Sequence, residues 1–165
     1  MKLKNKTVLF LGSSVTYGSA ANGVSFADIM AETCGIKMIK EAVSGTTLAD
    51  IDQTSYVSRL KKIDLNKTEE AIRFILEYVN SSFNCPIVFY TGTYFESKHY
   101  QQMIELLFAL QKEYNFFILN LWGDPEMLSV SKADYERYMA DPVHPNIVGY
   151  REWWTPKFIQ FCESI

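Results

Sequence analysis

The chain of 165 residues lacks any segment approaching the roughly 20 consecutive apolar residues that cross a bilayer, which excludes a helical membrane span. It also lacks an excess of basic charge. With 16 Lys and Arg against 19 Asp and Glu, the formal net charge is −3, and phosphate neutralisation by a nucleic-acid binder needs a basic face. Cysteine is scarce. Cys34, Cys85 and Cys162 are odd in number and far apart, matching neither zinc nor redox spacing, so they read as buried free thiols in a reducing compartment. Internal repeats, low-complexity tracts and Pro/Gly-rich linkers are absent. The opening Met1–Lys6 is basic, but the apolar run Val8–Leu11 behind it is too short for a signal peptide and ends in a Gly-Ser turn. The expectation is one cytoplasmic domain over residues 1–165.

What is present alternates between strand-like and helix-like patterns. Thr7–Leu11 is continuously apolar, as a strand covered on both faces should be. A helix is predicted over Ser25–Cys34, then a short strand at Lys37–Ile39. Ala71, Ile72, Ile75, Leu76 and Val79 form one helical stripe, with Asn66 and Glu69 at capping-box spacing. Ile87–Tyr90 reads as a buried strand, Tyr100 to Leu110 as an amphipathic helix and Phe116–Leu119 as a strand. A final helix follows Asn146, which Pro156 must start, bend or split. Alternation of this kind implies a mostly parallel sheet between helices, with the ligand site beyond the C-terminal strand ends. Gly12-Ser13-Ser14 occupies one such end, and Thr91-Gly92-Thr93 another.

Two motifs carry candidate chemistry. Ser14 lies in the turn Gly12–Gly18, and Asp141-Pro142-Val143-His144-Pro145 lies about twenty residues from the last residue. A serine hydroxyl needs a base to become a nucleophile. His144 can remove its proton and return it to a leaving group, and Asp141 can hold the other ring nitrogen. Each residue also has an ordinary structural role: helix N-cap for Ser14, the start of a helix for His144, a loop turn for Asp141. His99 has no acidic or thiol companion and reads as a surface residue. Tyr94, Phe95, Trp122, Trp153 and Trp154 are rings that pack a core or, alternatively, stack on a sugar. The spacing around Ser14 is neither the Gly-x-Ser-x-Gly elbow nor a P-loop.

Gly12-Ser13-Ser14-Val15-Thr16-Tyr17-Gly18 resembles the first block of the SGNH (GDSL-like) hydrolases, with Ser13 where aspartate is usual. Asp141-Pro142-Val143-His144-Pro145 resembles their last block, and Ala42-Val43-Ser44-Gly45-Thr46-Thr47 their second. Val88–Tyr94 and Gly149–Phe158 also look like segments of bacterial members. The resemblance implies a three-layer α/β/α sandwich with a mostly parallel, flavodoxin-like sheet. It implies a Ser14, His144 and Asp141 triad, with an oxyanion hole built from the Ser14 and Gly45 amides. The family's Gly-x-Asn-Asp block is not found. After Ile63-Asp64 the chain passes to Leu65-Asn66-Lys67-Thr68, so one central strand and an asparagine donor are expected to be missing, with Asn22 or Asn66 as substitutes. The implied activity is hydrolysis of a small carboxylic ester, such as an acetylated carbohydrate. It needs no metal or organic cofactor and no membrane or nucleic-acid partner, and a homo-oligomer would cover a shortened sheet. The alternatives are an impaired pseudo-enzyme of the same fold and a flavodoxin-like protein whose Ser13–Gly18 loop cradles a phosphate or FMN.

Overall fold

The computed structural model of the chain describes residues 2–46 and 68–165. They belong to two compact units, Met1–Thr46 with Pro125–Ile165 in one and Thr47–Asp124 in the other. Each carries a small two-stranded parallel sheet, so the chain is a mixed α/β protein. Among the described residues no helix is long and apolar enough to cross a membrane.

In the first unit, β1 (Thr7–Gly12) pairs with β2 (Lys37–Ala42) from Thr7↔Lys37 to Gly12↔Ala42. Parallel pairing requires a crossover, which passes through the helix α2 (Phe26–Cys34). Ser25 caps α2: its Oγ accepts from the Ala27 amide, and the Ser25 amide donates to Asp28 Oδ2 at 2.7 Å. Gly35, at φ 66°, ends it. Phe26 is the centre of the core. Its ring stacks on Phe158 at 3.9 Å and meets Phe10 edge-on at 5.8 Å, beside the fully buried Tyr150 and Trp154.

Two strand expectations are corrected here. The second strand runs on to Ala42, because the charged Lys40 and Glu41 interrupt the apolar run but not the backbone ladder. Nor is β1 buried on both faces. Period-two alternation turns Phe10 toward Phe26, while Leu9 and its register partner Ile39 are each 53% exposed.

From Pro125 on, this unit carries α5 (Pro125–Leu128), α6 (Lys132–Tyr138) and α7 (Ile147–Gly149), then a π segment Tyr150–Trp154 and α8 (Thr155–Ser164). Pro156 splits the last helical run. It sits in the first turn of α8, where a missing N–H does no harm, and the Thr155 amide reaches back five residues to the Tyr150 carbonyl.

The second unit holds α3 (Thr68–Ser82), β3 (Val88–Tyr90), α4 (Lys98–Leu110) and β4 (Phe117–Leu119). β3 and β4 pair in parallel from Val88↔Phe117 to Tyr90↔Leu119. Ile72 and Leu76 of α3 pack with Leu107, Leu110 and Phe116. Asn66, and the Ile63–Asn66 stretch where a central strand is expected to be missing, lie outside the described residues. The cysteine expectation is corrected in part. Cys34 is buried and Cys162 half-buried, but Cys85 is exposed, because the Asn84-Cys85-Pro86 turn before β3 runs over the surface.

Candidate active site

Ser14 follows directly from the end of β1. Gly12 approaches the next turn so closely that a Cβ there would overlap the Thr16 side chain, which accounts for glycine at this position. The chain then forms a single turn of helix, α1 (Ser14–Tyr17), closed by Tyr17 N–H to Ser13 O at 2.8 Å and Gly18 N–H to Ser14 O at 2.9 Å. Ser13, not Ser14, holds the N-cap position. The Ser14 hydroxyl is directed elsewhere, to His144 Nε2 at 2.8 Å.

The His144 loop is held from several sides. Met139 and Pro145 form an antiparallel bridge, the Ala140 amide donates to His144 O, and the Asn146 amide donates to Tyr138 O. Inside the loop, Asp141 Oδ1 accepts from the amides of Val143 and His144, each at 2.8 Å. The same carboxylate faces the imidazole, with Oδ2 2.8 Å and Oδ1 3.0 Å from Nδ1. Asp141 is thus a turn residue and the imidazole's partner at once.

An ionised carboxylate only accepts, so the Nδ1 proton belongs on the Asp141 side and Nε2 is left to accept from the serine hydroxyl. Partial burial raises the Asp141 pKa, but the Val143 and His144 amides and the imidazole outweigh it and hold the carboxyl below its ordinary 3.8. The carboxylate therefore stays charged at neutral pH. Ser14, His144 and Asp141, 130 residues apart at their extremes by number (144 − 14), form one continuous hydrogen-bonded chain.

Gly45 lies in the turn that follows the adjoining strand. The Val43 amide donates to Gly12 O at 3.1 Å, so the Val43–Thr46 turn leaves β2 level with the point where Ser13 leaves β1. Thr46 Oγ1 closes that turn on Val43 O, and the Ser44 hydroxyl bonds that of Ser19. Gly45 has φ 80°, and open space lies where a Cβ would be. The Ser14 amide falls in the first turn of α1, where N–H groups lack intrahelical acceptors. Asn22, exposed at φ 53°, closes the short 3-10 turn Ser19–Ala21.

Two groups beside the serine turn, the partly buried Lys40 and the fully buried Tyr150, escaped sequence reasoning. Lys40 of β2 donates to Asp28 Oδ2 at 2.6 Å, Gly23 O at 2.9 Å and Tyr17 O at 3.3 Å, tying down the chain that follows α1. A lysine at an inward-facing position of an otherwise apolar strand face was the available signal. Tyr150 directs its hydroxyl to Val15 O at 2.8 Å; nothing in its spacing marked that contact.

The aromatic rings are occupied by one another. Tyr94, Phe95 and Tyr100 surround Trp122 with centroids 4.8–4.9 Å away, and Trp153 stacks on Tyr138 at 5.4 Å. Trp154, fully buried, has no face for a sugar. His99 is exposed, as expected. Among the described residues no group of three or more His, Cys, Asp or Glu is placed to hold a metal ion.

No protein-family model and no curated protein sequence matches the chain. A crystal structure of a protein from Lactobacillus plantarum, determined by a structural genomics consortium, is similar, with a TM-score of 0.80. The match is 17% identical and covers 98% of this chain and 97% of that one. The two share a fold.

Proposed function

We propose that the chain is a serine hydrolase that cleaves a small carboxylic ester, built as an SGNH-like α/β/α sandwich and working in the cytoplasm. The observation that carries this reading is the unbroken sequence of contacts from Ser14 Oγ through His144 to Asp141, at 2.8 Å on each side of the ring. In the proposed cycle Ser14 Oγ attacks the ester carbonyl as its proton passes to Nε2. The C–O bond of the tetrahedral intermediate then breaks, and Nε2 returns the proton to the departing alkoxide. Water, deprotonated by the same nitrogen, releases the acid and restores Ser14. Negative charge on the carbonyl oxygen is met by the Ser14 and Gly45 amides, at the start of α1 and in the turn after β2. Asp141 lowers the cost of the imidazolium and holds the productive tautomer.

Hydrolysis of p-nitrophenyl acetate by wild type and Ser14→Ala tests the reading. A wild-type rate well above buffer that falls to background in Ser14→Ala supports it. Equal rates at background level in both proteins would leave a pseudo-enzyme of the same fold.

A further inference from the structure

We propose that Tyr150 is a positioning residue of this site, its hydroxyl latching the serine turn to the segment that carries His144. The inference rests on the hydrolase reading above and deepens it.

The serine turn is weak by itself. α1 has four residues, and a helix that short leaves its last carbonyls without internal donors and has little stability of its own. One of those carbonyls is Val15 O, next to the residue that must meet the imidazole. It receives the Tyr150 hydroxyl at 2.8 Å. A phenol donor, rather than water, thus fixes the orientation of the turn.

The other end of the latch is rigid. Tyr150 is fully buried, with its ring flanked by Phe26 and Trp154 at centroid distances of 6.4 and 6.0 Å, so the hydroxyl has one location. Its amide donates to Asn146 O, and the Asn146 side chain accepts from the Val148 and Gly149 amides at 2.9 and 3.0 Å. The Asn146 amide in turn binds Tyr138 O, beside the bridge that closes the His144 loop. Tyr150 and His144 therefore move as one piece. Burial raises the phenol pKa and the nearby Asp141 charge raises it further, so the latch keeps its proton at any working pH.

Without the latch, the orientation of α1 rests on the Lys40 bond to Tyr17 O, at 3.3 Å, and on the 2.8 Å Ser14–His144 contact itself. Proton transfer depends steeply on that geometry, whereas substrate binding does not.

Tyr150→Phe keeps the ring and removes only the donor. Its expected signature in p-nitrophenyl acetate hydrolysis, well below the unfolding temperature, is a kcat about tenfold lower (~1.4 kcal/mol) with KM within about twofold. The rate of fluorophosphonate labelling at Ser14 should fall in parallel. Ile29→Val, a core truncation in the same unit, should lower stability without moving kcat, which separates positioning from general weakening. Should Tyr150→Phe fail to fold, para-aminophenylalanine and para-fluorophenylalanine at position 150, one with a donor and one without, carry the comparison and should differ by about tenfold. A folded Tyr150→Phe with wild-type kcat, or equal rates for the two analogues, overturns the proposal. If wild type itself shows no Ser14-dependent rate, the hydrolase reading fails instead.

Discussion

Replacing Asp141 by asparagine probes the imidazole's orientation while leaving the loop in place. In the structure Oδ1 accepts from the Val143 and His144 amides, both at 2.8 Å. An asparagine keeps those bonds by placing its carbonyl oxygen at the Oδ1 position. Its NH₂ then occupies the Oδ2 position, 2.8 Å from His144 Nδ1, as a donor where an acceptor stood. The ring responds by presenting Nδ1 as the acceptor and moving its proton to Nε2, where it opposes the serine hydroxyl. An orienting carboxylate of this kind is worth about 10³–10⁴-fold in kcat, or about 4–5.5 kcal/mol of barrier. The Asp141 side chain is 49% exposed, so water competes for the same positions and the lower end, near 10³, is expected. The unfolding midpoint in urea should barely move, since the two loop bonds persist. Asp141→Ala, by contrast, removes the loop acceptor as well and should lower stability by about 1–3 kcal/mol. Steady-state p-nitrophenyl acetate kinetics and urea unfolding of both variants are the assay. A folded Asp141→Asn with kcat within threefold of wild type would refute the reasoning.

Three further outcomes follow from the same contacts. Lys40→Met leaves the Asp28 carboxylate, 28% exposed, and the carbonyls of Tyr17 and Gly23 without their shared donor, and should cost about 1–3 kcal/mol in urea unfolding; a loss below about 0.5 kcal/mol would contradict the role given to Lys40. Burial raises the Asp28 pKa, but Lys40 and the Ser25 cap bonds outweigh it and leave the carboxyl below its ordinary 3.8, so its stabilising share is complete above that pH and is lost as pH falls through the lower folded value. The stability difference between wild type and Asp28→Asn should accordingly be flat near pH 6 and shrink below about pH 3.8; a difference that widens on acidification would reverse the assigned sign. In Gly149→Ala the new Cβ would overlap the Tyr138 carbonyl, a backbone atom with little room to retreat, so the contact between α6 and α7 must open at a cost of about 1–3 kcal/mol, and wild-type stability would contradict the packing.

The parts of this chain that were legible beforehand are those whose chemistry is local. Apolar runs and helical stripes marked β1, α2, α3, α4 and both strands of the second unit, because their spacing reports which side of an element is buried. Asp141-x-x-His144 was legible for a similar reason: three residues of separation let one carboxylate serve the turn and the imidazole together. α6 escaped notice because none of its residues is buried, so it carries no apolar stripe to read. The exposure of Leu9 and Ile39 and of Cys85 depends on what packs over each position, which residue type does not encode. Lys40 and Tyr150 work through carbonyls 17 and 135 residues away by number, contacts formed by the fold and by no motif.

The account depends on Ser14 being a nucleophile activated by His144. Incubation with a fluorophosphonate followed by mass spectrometry of the intact and digested protein tests that most directly. The predicted result is a single adduct on Ser14 in wild type, lost in Ser14→Ala and strongly slowed in His144→Ala. An unlabelled wild type, or an adduct that forms at the same rate in His144→Ala, would contradict it.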